Sequence, residues 1–108
     1  MEIKHSDLKI GDKVWACAYD YNYNRTEKAL IQQPVFGQIV QAPSKAYYKF
    51  GFAILKKDGT PRTSGIVDIS SRSYAATEDE CIEIYNQKIR ERIAILENDI
   101  KALRVDLL

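Results

Sequence analysis

Residues 77–108, TEDECIEIYNQKIRERIAILENDIKALRVDLL, carry an uninterrupted heptad repeat. Along this stretch, apolar residues and one asparagine alternate at spacings of four and three, which is the stripe that two supercoiling helices bury against each other. The stripe consists of Ile82, Asn86, Ile89, Ile93, Leu96, Ile100, Leu103 and Leu107. The sequence therefore predicts one long helix over residues 78–106 and self-association through it.

The order of residues in this stripe favours a parallel, two-stranded coiled coil. With Asn86 at an a position, isoleucine dominates the later a positions and leucine the later d positions, as in two-stranded coils. Arg92 precedes Glu97 by five residues, so a parallel partner presents opposite charge there. Asp99 precedes Arg104 by the same spacing, with the same result. The polar Asn86 would fix the register of the two helices.

The alternative is an amphipathic helix that docks on its own domain. Further apolar residues lie outside the stripe and widen the apolar face, as a docking helix requires: Ile84, Ala94, Ile95, Ala102 and Val105. A helix over residues 78–106 is about 43 Å long, whereas a compact body of the preceding residues is only about 30 Å across. We therefore expect the helix to overhang its domain. Both arrangements can hold together, with the first turns docked and the rest shared.

The start of the helix is marked by a capping box. Thr77 is followed three residues later by Glu80, and Glu78 and Asp79 add negative charge in the first turn, where the helix dipole favours it. The helix is therefore expected to begin at Glu78.

Length and charge limit the function classes. The chain has 108 residues, which divide into a body over 1–76 and an oligomerisation helix over 77–108, too few for a two-domain enzyme. The body holds eleven Lys/Arg against seven Asp/Glu, a net charge of +4, and the helix holds five against eight, a net charge of −3. An anionic partner therefore suits the body, although a dedicated nucleic-acid binder would be more basic.

Cysteine and histidine usage argues against a metal or other cofactor. Cys17 and Cys81 are far apart in sequence and His5 is the only histidine, so no zinc-ligand spacing is present. The two cysteines are expected to be free thiols in a reducing cytoplasm, with one disulfide as the alternative. The first residues contain no apolar run, so we expect no signal peptide and no membrane span.

Residues 1–76 predict four or five short strands separated by turns. The strands are expected over residues 14–19, 35–40, 47–55 and 63–70, with a short fifth piece over 72–75. Lys57-Asp58-Gly59 predicts a hairpin turn, and Gly37 a bulge or bend in the second strand. The fold is therefore expected to be α+β and mostly β: a small antiparallel barrel followed by one long amphipathic helix.

Alternation assigns faces in two of these strands. In the third strand one face carries Tyr48, Phe50, Phe52 and Ile54, which we expect to supply the main aromatic part of the core. In the first strand the bulkier face, with Trp15, Cys17 and Tyr19, is expected to face the core.

Three stretches resemble the SH3-like barrels of small accessory proteins from phages and prophages. They are LKIGDKV at 8–14, FGQIV at 36–40 and YAATEDE at 74–80. The resemblance spans most of residues 7–82 and includes the long first connection. It implies an SH3-like fold and a non-enzymatic binder of nucleic acid, nucleotides or host proteins. The glycine spacing of a KOW motif is absent, so ribosome or RNA-polymerase binding is not carried over.

The first connection, residues 20–33, is the leading candidate for a ligand site. Tyr19, Tyr21 and Tyr23 lie at alternate positions, and Arg25 follows them. In an extended segment their rings point the same way and form a stacking platform for bases, with Arg25 at the phosphate or over a ring. The alternative is that the tyrosines extend a strand or cover the end of the barrel.

Two hydroxyl-rich stretches add candidate phosphate donors. One contains Arg62, Thr63 and Ser64, and the other contains Arg72 and Ser73. They flank one short strand, whose ends are about 17 Å apart, so the two arginines are not expected to share a phosphate within one subunit. Ordinary hydroxyl-rich turns are the alternative interpretation.

No catalytic motif accompanies these residues. The sequence contains no nucleophile elbow, phosphate loop or metalloprotease helix. We therefore predict a cytoplasmic, non-catalytic, phage-type protein that sequesters a nucleotide or nucleic acid as a dimer or higher oligomer. The alternative is an adaptor or inhibitor that grips a host protein through a tyrosine-rich surface.

Overall fold

The structure, a computed structural model, describes residues 1–19 and 31–108. Within these residues the chain forms a five-stranded antiparallel sheet and one long helix, which confirms the α+β class. The elements are β1 (Lys13–Tyr19), β2 (Ile31–Gln41), β3 (Phe50–Ile54), β4 (Val67–Asp68), β5 (Ser73–Ala75) and α1 (Glu78–Val105). Single turns of 3-10 helix occupy His5–Asp7 and Ile69–Ser71.

The irregular point of the β1–β2 ladder is not at Gly37. Gly37 pairs in register with Val14 on one side and Ile54 on the other. The register shifts instead between Ala16 and Ala18, opposite the segment of β2 that contains Pro34. Because proline has no N–H to donate, the ladder is interrupted there. The predicted bulge was therefore assigned to the wrong residue.

The two edge strands of the sheet are consecutive in the chain. The strand order is β4-β3-β2-β1-β5, and β4 and β5 are joined by the turn Ile69–Ser71 and Arg72. In a flat sheet these edges would be about 19 Å apart, whereas the connection spans at most about 17 Å fully extended. The sheet must therefore curl to bring its edges toward each other.

The fourth strand is shorter than predicted. Only Val67–Asp68 pairs with β3, instead of residues 63–70. Gly65 has a φ of +71°, which breaks the extended chain before β4. After β4, the side chain of Asp68 accepts a hydrogen bond from the Ser70 amide at 3.0 Å and starts the 3-10 turn.

The main core lies on one face of the sheet. Its buried side chains are Leu8, Val14, Ala16, Ile39, Phe52 and Tyr74. Phe52 and Tyr74 supply the aromatic part, with ring centroids 5.7 Å apart. Phe50, predicted to join them, is 41% exposed because it pairs with Gln41 at the end of the sheet. The aromatic core is thus smaller than the alternation indicated.

A second, smaller core lies between the sheet and α1. Cys17 and Ala75 are buried there against Cys81 of the helix. Trp15, Ile84 and Tyr85 pack around them. The bulkier face of β1 therefore meets the helix, while its smaller face, including Val14 and Ala16, lines the main core.

Helix α1 begins at its predicted cap and extends past the sheet. The Thr77 hydroxyl accepts a hydrogen bond from the Glu80 amide at 3.2 Å, which confirms the capping interaction. From Ile93 onward every residue is exposed, and the molecule is 59 Å long but only 31 and 27 Å in its other dimensions. The first turns dock on the sheet and the remainder overhangs it.

Candidate anion-binding site

The tyrosine-rich connection leaves and re-enters the sheet at one place. Tyr21, Tyr23 and Arg25 lie outside the described residues. The flanking residues Tyr19 and Ile31 are paired across β1 and β2. Both ends of the connection therefore lie side by side at one end of the sheet.

Arg72 lies beside these ends. Ser73 pairs with Cys17, so Arg72 is level with Ala18, which pairs with Gln32 on the far side of β1. The Nε of Arg72 donates a hydrogen bond to Oε1 of Gln32. This contact holds the half-buried Arg72 side chain beside Gln32. Gln32 directly follows Ile31, where the chain re-enters the sheet after residues 20–30.

Part of the Arg72 guanidinium remains available to bind a ligand, because its second set of contacts uses Nη1 alone. Nη1 donates to the carbonyl oxygen of Ser71 at 3.0 Å and to its hydroxyl at 3.1 Å. Among the described residues none accepts a hydrogen bond from Nη2. An oxyanion could therefore be bound by Nη2 without displacing the contacts that hold the side chain.

His5 holds the backbone of Arg72. Its Nε2 donates to the Arg72 carbonyl at 2.8 Å, and its ring meets that of Tyr74 edge-on at 5.6 Å. Neither this role of His5 nor that of Gln32 was predicted from the sequence, because both contacts join residues far apart in the chain. Short-range sequence patterns do not indicate contacts of this kind.

Ser73 does not belong to the candidate site. It is 8% exposed and pairs with Cys17, whose side chain faces α1. Adjacent residues of a strand point to opposite faces, so Ser73 and Arg72 cannot present their side chains to one ligand. The hydroxyl near Arg72 is that of Ser71.

Arg62, Thr63 and Ser64 lie elsewhere and are exposed. The Arg62 amide donates to the Ile54 carbonyl at 2.9 Å, just after the bridge between Leu55 and Pro61. This segment adjoins β3 on the β4 side of the sheet, whereas Arg72 adjoins β5 at the opposite edge.

A cluster of acidic side chains lies beside the first turns of α1. Several glutamates line a groove of about 400 Å³ between α1 and the first residues: Glu2, Glu80, Glu83 and Glu91. The Met1 ammonium and the Thr77 hydroxyl hold the pKa of Glu80 below its ordinary value, which is unfavourable for a general acid. Among the described residues, no three His, Cys, Asp or Glu side chains form a group that could hold a metal ion.

The two cysteines are free and buried, in agreement with the prediction of free thiols. The Cys17 thiol donates to the Cys81 carbonyl at 3.8 Å. Burial raises the pKa of the Cys17 thiol, and it raises the pKa of Cys81 to about 12. Both thiols are therefore protonated near neutral pH and make weak nucleophiles.

Comparison of the chain with protein-family models, curated proteins and solved structures gave no match. In the described part of the chain, no helix combines the length and the hydrophobicity needed to cross a bilayer.

Proposed function

We propose that this protein is non-catalytic and sequesters an anionic ligand, a nucleotide or a nucleic acid, at the end of the sheet that bears residues 20–30. The observation that carries this proposal is the Arg72 guanidinium, held by Gln32 beside the root of that connection. An arginine supplies charge and hydrogen bonds to phosphate. Tyr21 and Tyr23, in the same connection as Arg25, supply rings on which bases can stack.

Sequestration is the mechanism that these groups support. The buried thiols are protonated and Glu80 is held in its ionised form, so these groups offer no activated nucleophile or general acid. The proposal includes an SH3-like barrel over residues 1–76, supported by the short connection between the edge strands. It also includes a coiled coil formed by α1 and a cytoplasmic, phage-type accessory role.

A fluorescein-labelled 12-nucleotide single-stranded DNA and ATP are the probes that test this proposal. We expect DNA binding to weaken steeply between 50 and 200 mM salt, because phosphate contacts release counterions (slope of about −0.7 per contact). Arg72→Gln should weaken binding about tenfold, in line with the loss of one charge-assisted hydrogen bond. Lys45→Gln removes the same charge from the turn after β2, at the other end of the sheet, and should change affinity less than about twofold.

Three outcomes would contradict the proposal. They are the absence of binding to both probes, an equal loss in the two variants, and an affinity that does not respond to salt. Thermal unfolding of each variant shows whether a loss of binding reflects a loss of fold.

The second candidate function is a protein adaptor or inhibitor. A groove of about 530 Å³ is lined by Ile10, Pro43, Tyr48 and Phe50, among other residues. Neighbouring Tyr47 is 92% exposed. Aromatic side chains are enriched at the energetic centres of protein interfaces. Binding of a protein in this groove should respond little to salt and should be lost in Phe50→Ser, whereas binding at Arg72 should not.

A further inference from the structure

We infer that a second copy of this chain packs along α1 in parallel, forming a two-stranded coiled coil while each helix remains docked on its own sheet. This inference deepens the proposed coiled coil and rests on that part of the proposed function. It makes no use of the anion site.

The docked face and the heptad stripe of α1 point in different directions but overlap at two residues. The buried or half-buried residues of the helix after Glu80 are Cys81, Ile84, Tyr85, Asn86, Lys88, Ile89 and Arg92. Of these, Asn86 and Ile89 also belong to the stripe. At 100° per residue, the mean directions of the two sets differ by about 70°. Because every residue from Ile93 onward is exposed, a partner helix can lie along the stripe there without displacing the sheet.

Six of the eight stripe residues are exposed in the single subunit, while Asn86 and Ile89 are half-buried. Its exposed fractions are 39% at Ile82, 48% at Ile93, 43% at Leu96, 48% at Ile100, 68% at Leu103 and 77% at Leu107. A continuous apolar surface of this kind marks an interface. The partner that fits needs apolar residues at matching spacing, and a second copy of α1 supplies them.

Charge complementarity supports a second copy as the occupant. In a parallel pair, Asp99 of one helix faces Arg104 of the other. By the two-fold symmetry of the pair, this contact forms twice. Both residues lie on the exposed part of the described helix, and flanking contacts of this type select the partner.

Asn86 decides between parallel and antiparallel packing. An antiparallel pair with Ile93 opposite Leu96 also brings opposite charges together, but it sets Asn86 against Leu103 and desolvates an amide without a partner. In the parallel pair each Asn86 faces the other Asn86 and the amides can hydrogen-bond. Parallel packing therefore both pairs opposite charges and gives the Asn86 side-chain amide a hydrogen-bond partner.

Cysteine trapping tests the orientation. In the parallel pair Leu103→Cys faces its own copy, and oxidised glutathione should convert two thiols into one intermolecular disulfide and two reduced glutathiones. In the antiparallel pair these sulfurs are about 25 Å apart. Asn98→Cys, on the opposite side of the helix, is the matched control and should remain uncrosslinked. Crosslinking of both variants to the same extent, or of neither, would overturn the inference.

Sedimentation equilibrium tests the assembly. Wild-type protein should have twice the 12.4 kDa chain mass, and Ile100→Glu should lower the dimer affinity by at least a hundredfold. Val105→Glu, exposed and off the stripe, should remain dimeric. A wild-type monomer at all concentrations, or a trimer or tetramer, overturns the inference. A dimer that fails to bind the DNA probe contradicts the anion site alone, and a monomer that binds it contradicts the coiled coil alone.

Discussion

Arg72 donates a hydrogen bond to Gln32 across β1, joining residues forty positions apart in sequence. The contact ties the entry to β5 to the start of β2. It holds a cation at the end of the sheet where residues 20–30 leave and return.

Gln32→Leu tests whether DNA binding depends on how the Arg72 side chain is positioned, in addition to its charge. The Arg72 charge remains but loses the acceptor that orients it, so we expect a several-fold loss of affinity for the labelled DNA, about 1 kcal/mol. The salt dependence should stay unchanged, because the number of phosphate contacts is the same. Fluorescence anisotropy over a salt series measures both quantities. An unchanged affinity would show that Gln32 does not position Arg72.

The protein should lose stability in alkali. Burial raises the pKa of Cys81 to about 12 and also raises the pKa values of Cys17 and Tyr74. Below about pH 8 the three groups are protonated in both states and contribute no pH dependence. As the pH rises past the ordinary pKa of each group, the unfolded chain loses a proton that the folded chain keeps. The free energy of unfolding therefore falls with pH, by up to about 1.4 kcal/mol per pH unit for each group once that ordinary pKa is passed.

Urea unfolding followed by Trp15 fluorescence at pH 8 and pH 10.5 measures this loss. Cys81→Ala should reduce the pH dependence, because it removes one of the two buried thiols. Equal unfolding free energies at the two pH values would show that Cys17, Tyr74 and Cys81 are not buried as described.

Gly37→Ala should destabilise the sheet by about 1–3 kcal/mol. An added Cβ would lie 2.5 Å from the Ala53 carbonyl oxygen and also meet the Phe52 ring. Gly59→Ala is the comparison, since Gly59 has open space and a φ of +86°, so its cost is about 1 kcal/mol. Chemical denaturation compares them, and a smaller loss at Gly37 than at Gly59 would contradict the close approach.

Thr77→Ala should cost about 1 kcal/mol through loss of the helix cap. Thr77→Ser keeps the hydroxyl that accepts from Glu80 and should stay within a few tenths of wild type. The same denaturation experiment compares them. If serine proved as destabilising as alanine, the hydroxyl would have no capping role.

The sequence predicted those elements that depend on interactions between residues close together in the chain. The capping residues and the heptad spacing predicted α1 to within one residue of its end at Val105, and Lys57-Asp58-Gly59 predicted a turn. In that turn the Thr60 amide donates to the Asp58 side chain at 2.9 Å. Such patterns act within a few residues, so they can be read without the fold.

Features that depend on distant partners were not predictable in the same way. The length of β2 and the site of its irregularity depend on pairing with β1, and the burial of Ser73 depends on α1. The candidate site shows the same limit. Arg72 was identified from its residue type, but Gln32 and His5 became visible only from the contacts across the sheet.

Native mass spectrometry of protein purified from the cells that make it tests the central claim most directly, because it reports copy number and retained ligand together. We predict a mass of two 12.4 kDa chains plus that of a nucleotide or short oligonucleotide. A ligand-free single chain would contradict both the assembly and the sequestering function.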